Sequence, residues 1–250
     1  MNNKNTINTV LSSLSASTAG FMESSGHQIP ISFNSVSNID FQSASINFIE
    51  SYYVISDPPY NQNYRYSAYS DNLKADDYLN LMQKAFGNMK SVIIHYPEPT
   101  INLLPSVTYT SCTESVSWVY NSNTAKQSRQ ISWWNCKPDF RKVGQDYKNP
   151  NDKRIVERIA AGKQARLYDW WDIPQVKNVS KEKSGNPHPC PIPEEVARRI
   201  ILTTTQEGDV IVDPFAGSGT ILKVAKNLNR KYIGFEIDPV YFEYMKSIGL

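Results

Sequence analysis

The chain has 250 residues, 40% of them hydrophobic and 12% aromatic, enough for one full-sized core with a small appended module. No apolar run approaches the roughly 20 residues of a membrane helix, and the opening residues lack both a basic start and a continuous apolar stretch, so a cytoplasmic protein without membrane attachment is expected. Three cysteines form no CxxC pair, which argues against a disulfide framework or a zinc knuckle, and a net charge of +2 leaves nucleic-acid binding to be judged from where the basic residues fall.

Residues 1–26, rich in Ser and Asn, read as a flexible N-terminal arm, with a short capping helix at 10–14 as the alternative. At 52–56 a β-branched and aromatic run is stopped by Asp57-Pro58-Pro59, the pattern of a buried strand ending in a rigid loop. Apolar residues at helical spacing predict an amphipathic helix over 75–89, with Asp76 and Asp77 in its first turn and Gly87 near its end. A second strand follows at 91–96, and alternation over 107–120 predicts a pair of strands turning at 112–114. Residues 27–120 thus form a first half.

Between 121 and 183 basic residues, Arg129, Arg141, Lys148, Arg154 and Arg158 among them, interleave with Trp133, Trp134, Tyr168, Trp170 and Trp171. Such an insert suits phosphate contacts plus base stacking, although its aromatics equally suit packing against the main domain. In the second half, 184–250, helices are expected at 194–202, 219–228 and 239–247 and strands at 209–213 and 231–236. Strands alternating with helices imply an α/β fold, its mostly parallel sheet covered by helices on both faces.

The sharpest local signal is Asp209-Val-Ile-Val-Asp-Pro-Phe-Ala-Gly-Ser-Gly-Thr220, a strand entering a glycine turn and then a helix N-terminus. Glycines admit close backbone approach, and the unpaired N–H groups of a helix start favour an anionic group. Glu236, at the end of the next strand, can accept hydrogen bonds from both ribose hydroxyls of a nucleoside cofactor. The third glycine of the NAD fingerprint is absent, and Asp213 before the turn suits a cationic amino-acid end better than a pyrophosphate, which favours S-adenosylmethionine.

Asp57-Pro58-Pro59-Tyr60 is the second constellation. An exocyclic amine on a base is a poor nucleophile because its lone pair is delocalised into the ring. Two acceptors, the Asp57 carboxylate and the Pro58 carbonyl, would draw the nitrogen toward tetrahedral geometry and stabilise the developing charge. The prolines stiffen that carbonyl, and Tyr60 offers a flat face for a base swung out of the duplex. A bare strand-ending turn is the plainer reading of the same four residues.

With these elements in this order, the sequence resembles the beta class of DNA amino-methyltransferases. Asp57 to Tyr60, His188-Pro-Cys-Pro-Ile-Pro193, Asp213 to Thr220 and Gly234-Phe-Glu-Ile-Asp238 carry the resemblance, which extends from about Asp40 to the end of the chain. It implies a Rossmann-like, circularly permuted class I methyltransferase fold with 121–183 as an inserted target-recognition region. By the same resemblance Asp57, Pro58, Pro59 and Tyr60 are catalytic, while Asp40, Asp57, Asp213, Phe215, Gly217, Ser218, Gly219, Thr220 and Glu236 serve the cofactor. Asp40 takes the place of the acidic residue that reads the cofactor's adenine. No metal is expected, since His188 has no ligand partners at metal spacing. In this family Asp at the first motif position goes with adenine N6 and Ser more often with cytosine N4, so site-specific adenine methylation of double-stranded DNA is the expected activity. The alternatives are N4-cytosine methylation and a catalytically silent DNA-recognition module, and a homodimer or a restriction-system partner is compatible with either enzyme.

Overall fold

A computed structural model describes residues 31–44, 51–66, 68–96, 100–122, 125–178 and 180–250. The expected N-terminal arm, 1–26, and the alternative helix at 10–14 lie outside them. Ten strands are described: β1 (Ser35–Ser37), β2 (Tyr53–Ser56), β3 (Lys90–His95), β4 (Cys112–Val119), β5 (Ser128–Trp134), β6 (Gly144–Gln145), β7 (Ala165–Arg166), β8 (Trp170–Asp172), β9 (Val210–Asp213) and β10 (Lys231–Phe235). The α-helices are α1 (Ala75–Phe86), α2 (Thr100–Thr108), α3 (Lys153–Ala160), α4 (Glu194–Thr204), α5 (Thr220–Asn227) and α6 (Pro239–Ser247).

Eight strands form one sheet in the order β1-β10-β9-β2-β3-β5-β4-β8, in which only β5 runs against its neighbours. Period-2 alternation sorts their side chains between two helical layers. Ile55, Val92, Ile94, Trp133, Ile211 and Tyr232 pack with Val196, Ile200 and Ile201 of α4 and Ile221, Leu222 and Ala225 of α5. Their sequence neighbours Val54, Ile93 and Trp134 face the other way, onto Leu81, Met82 and Phe86 of α1 and Leu104 and Val107 of α2. Helices thus cover both faces of a mostly parallel sheet, as the sequence pattern implied.

Residues 107–120 differ from the expected pair of strands. Val107 and Thr108 close α2, and 112–119 form the single strand β4, with a bulge between Cys112 and Glu114 in place of a turn. The β-branched run at 106–110 mimics a strand, but Leu104 and Val107 are fully buried on α1, and that packing outweighs local propensity.

Within 121–183, β5 lies inside the sheet between β3 and β4, and Trp133, Trp134 and Trp171 are buried. What stands clear of the sheet is 144–166, where the short β6–β7 pair brackets α3. No residue of α3 is buried, and Lys153, Arg154, Arg158 and Lys163 are exposed. Nearby, the Lys148 ammonium lies 4.0 Å from the ring centre of half-exposed Trp170 and 5.0 Å from that of Tyr168. Among the described residues no helix is long and apolar enough to cross a membrane.

Candidate active site

The sheet order brings β2, from the first half, beside β9, from the second, with Tyr53 opposite Ile211 and Val54 opposite Val212. Their carboxyl ends therefore open side by side, the position at which α/β sheets bind ligands. The Ser56 hydroxyl donates to Asp213 Oδ1 at 2.5 Å and ties the two ends together.

Asp57 follows directly. Arg129 Nη1 donates to its Oδ2 at 2.8 Å, and the Tyr60 hydroxyl donates to Oδ1. Burial pushes the Asp57 carboxyl up from its ordinary value, and the Arg129 guanidinium opposes that push. Pro58 is buried, and the Pro59 carbonyl accepts the Tyr78 hydroxyl at 2.8 Å, fixing the peptide against α1. The loop beyond is shaped by Asp71, whose buried carboxylate accepts the N–H groups of Asn61, Gln62 and Tyr64 at 2.8, 3.0 and 3.0 Å.

At the glycine turn, Gly217 N–H donates to Glu236 Oε2 at 2.7 Å and Asp238 N–H donates to Oε1 at 2.8 Å. Burial nevertheless raises Glu236 to about 7. Gly217 has φ +53°, and a Cβ there would come within 3.1 Å of His188 Nε2, so this backbone is bare where it meets the cavity. Gly219 has a different task. With φ +77°, it leaves room for Leu250 and Met245, whose side chains a Cβ would approach to 2.6 and 2.7 Å. Gly219→Ala is expected to cost about 2 kcal/mol or more from left-handed strain plus overpacking, read as a lowered thermal midpoint; an unchanged midpoint would contradict the tight seat.

Asp40, Asp57, Pro59, Phe215, Gly217 and Glu236 all line one cavity of about 260 Å³, with His188, Ile237, Tyr241 and the loop residues Tyr66 and Tyr69 completing its wall. Asp40 also caps the short helix Phe41–Ser43, accepting Gln42 N–H at 2.9 Å. Phe215 is held between Phe41 and Phe86 at ring separations of 5.2 and 6.3 Å. Asp213, Ser218 and Thr220 instead line a smaller adjoining cavity. His188 stacks edge-on to Tyr241 at 4.8 Å, and burial lowers it to about 4, leaving it neutral at physiological pH.

Asp213 is fully enclosed, and burial lifts it to about 7. Between the ordinary carboxylate range and pH 7 the folded protein thus keeps a proton that the unfolded chain has released, so stability falls as pH rises through that window. In Asp213→Asn, Oδ1 can still accept from Ser56 and Phe215, but the ionisation is gone. The variant should lose less thermal stability between pH 5 and pH 8 than the wild type, and an equal loss in both would mean that Asp213 does not carry this proton.

Sequence reasoning missed Arg129 as a site residue, grouping it with the phosphate-binding cations although it is 5% exposed. Its place on an alternating strand, pointing inward between Trp118 and Tyr96, was the available signal. Asp71 carried no such signal, because its role depends on how the 57–73 loop folds.

A family model for DNA methylases, N6_N4_Mtase, matches residues 89–247. The type II methyltransferase M.HpaI of Haemophilus parainfluenzae is 28% identical over 220 residues, 78% of this chain and 66% of that protein. The DNA adenine methyltransferase YhdJ of Escherichia coli (strain K12) is 42% identical over 73 residues, 29% of this chain and 24% of that one. The first curated relatives are matched over 33% to 66% of their own lengths. In fold, the chain is similar to the crystal structure of an M1.HpyAVI–SAM complex, with TM-score 0.55 at 18% identity, covering 86% of this chain and 98% of that one. With a family match over more than half of its length, placed on the glycine turn and the strands that carry it, the chain belongs to the N6_N4_Mtase family of DNA methylases.

Proposed function

We propose that the chain is an S-adenosylmethionine-dependent DNA methyltransferase that modifies N6 of adenine within a specific sequence, acting on a base swung out of the duplex. The observation that carries this reading is the convergence of Asp57 with Asp40, Gly217 and Glu236 on a single cavity.

The residues present fit the cofactor. Buried Glu236 can accept from ribose hydroxyls and Asp40 from an adenine amine, Phe215 and Ile237 supply apolar surface for a flat ring, and the bare Gly217 backbone admits close approach. S-adenosylmethionine, when bound, supplies an electrophilic methyl on a sulfonium that departs as a neutral thioether. Asp57 and the Pro58 carbonyl accept the two N–H bonds of the target amine, concentrating the lone pair that forms the new C–N bond, and one of those protons then leaves to solvent. The Tyr60 and Tyr96 rings, 4.9 Å apart, provide aromatic faces beside Asp57. DNA as the substrate polymer is supported by the exposed basic element at 144–166 and by Lys126, 4.1 Å from the Tyr96 ring. Asp rather than Ser at position 57 and the similarity to YhdJ support adenine over cytosine.

Incubation with labelled S-adenosylmethionine and, separately, double-stranded DNA, single-stranded DNA and RNA, followed by nucleoside mass spectrometry, tests the reading. N6-methyldeoxyadenosine is the expected product. N4-methylcytosine would move the target base, and no label in any polymer despite cofactor binding would overturn the activity.

A further inference from the structure

The catalytic motif accounts for Asp57 but not for the cation that meets it. Arg129 enters from β5, where the other side chains on its face of the strand, Ile131 and Trp133, are apolar or aromatic, and its side chain is 6% exposed. Its guanidinium carbon lies 5.4 Å from the Tyr60 ring centre and 5.5 Å from those of Tyr96 and Trp118, so aromatic faces enclose it on several sides. One Nη donates to Asp57 Oδ2 and the other reaches Cys190 Sγ at 3.4 Å, while buried Nε has no hydrogen-bond partner among the described residues. A cation so desolvated is tolerated only because its counter-ion is held against it, and the holding is mutual.

The two oxygens of Asp57 are not equivalent. Oδ2 faces a buried, permanently charged guanidinium on the sheet, whereas Oδ1 carries the hydroxyl of Tyr60, a neutral donor on the motif's own loop. A neutral hydrogen bond exchanges for another at little net cost, whereas stripping a buried charge pair costs several kcal/mol. An incoming amine therefore displaces Tyr60 and not Arg129. We propose that Arg129 is a positioning residue of the methyl-transfer site, holding Asp57 through Oδ2 so that the carboxylate stays ionised and presents Oδ1 to the target amino group. The proposal rests on the methyltransferase reading above.

Ionisation matters because a protonated Asp57 would offer the amine a competing donor. Besides Arg129, the titratable groups around the carboxylate are Tyr60 and Tyr66 from its own loop, Tyr96 beyond β3, Asp213 from β9, and His188 and Cys190 from the segment before α4. His188 is neutral, and Asp213 is an acid that disfavours a second negative charge, which leaves Arg129 as the cation in direct contact with Asp57.

The test compares wild type, Arg129→Gln and Arg129→Lys by two readouts: the pH dependence of kcat on double-stranded DNA, and the Asp57 carboxyl titration followed by carbon-13 NMR and assigned by loss of its signal in Asp57→Asn. In Arg129→Gln the Asp57 titration should move up by more than about one pH unit, and kcat at pH 7 should fall about tenfold for each unit by which the new titration lies above 7, with KM for cofactor within about threefold and recovery toward alkaline pH. Arg129→Lys should restore the wild-type titration and part of kcat, which a merely structural role would not do. An unchanged Asp57 titration and kcat profile in folded Arg129→Gln overturns the inference alone. Absence of methyl transfer by the wild type overturns the parent reading, and the inference with it. If neither Arg129 variant folds, the wild-type titration still decides, since a carboxyl protonated at pH 7 would refute the pairing.

Discussion

Asp57→Ala is expected to lower methyl transfer by about 10³-fold or more while leaving cofactor affinity within about threefold, measured by single-turnover kinetics and calorimetry. The loss has two origins that can be separated. One is the missing acceptor for the target amine. The other is structural, because the substitution strands the Arg129 guanidinium, whose side chain is 6% exposed, without the carboxylate 2.8 Å away. Removing one member of a buried pair costs about 3–5 kcal/mol, and the 19% exposure of Asp57 puts this case near the low end by admitting water. The double variant Asp57→Ala/Arg129→Met removes the stranded charge and should recover most of the thermal stability with none of the transfer. Recovery of activity alongside stability would show that Asp57 acts through the fold and not on the substrate.

Glu236→Ala should weaken the cofactor by about 100-fold, the equivalent of one or two charge-assisted hydrogen bonds, with little effect on the rate once the site is saturated. The carboxylate also organises its own surroundings, accepting Gly217 N–H at 2.7 Å and Asp238 N–H at 2.8 Å, so its loss loosens the glycine turn as well. Because burial raises Glu236 to about 7, the ionised acceptor is depleted as pH falls below that value. Wild-type affinity should then drop by up to about tenfold per pH unit below 7 and level off above it, while Glu236→Gln binds weakly with a flat profile across the same range. Calorimetric titrations from pH 5.5 to 8.5 distinguish the two, and a flat wild-type profile would remove Glu236 from the binding site.

The sequence by itself determined the pieces whose information is local. The strand–glycine turn–helix at 209–228, the carboxylate at 236 and the proline-stiffened turn after 56 were all legible, because hydrophobic period, glycine and proline act on their own backbone. Helix 239–247 was legible to the residue, since Asp238 caps it and Pro239 opens it. Only the tertiary structure decided what depends on residues far apart in the chain. Val107 and Thr108 went to a helix end because Leu104 and Val107 found α1, although the local composition favours a strand. Trp133 and Trp171 became core, and Arg129 left the basic surface for a buried pair with a residue 72 positions away. Burial, and the charge compensation it demands, arises only when strands distant in sequence become neighbours in the sheet, so the partner that sets the state of Asp57 could not be read from the motif that contains it.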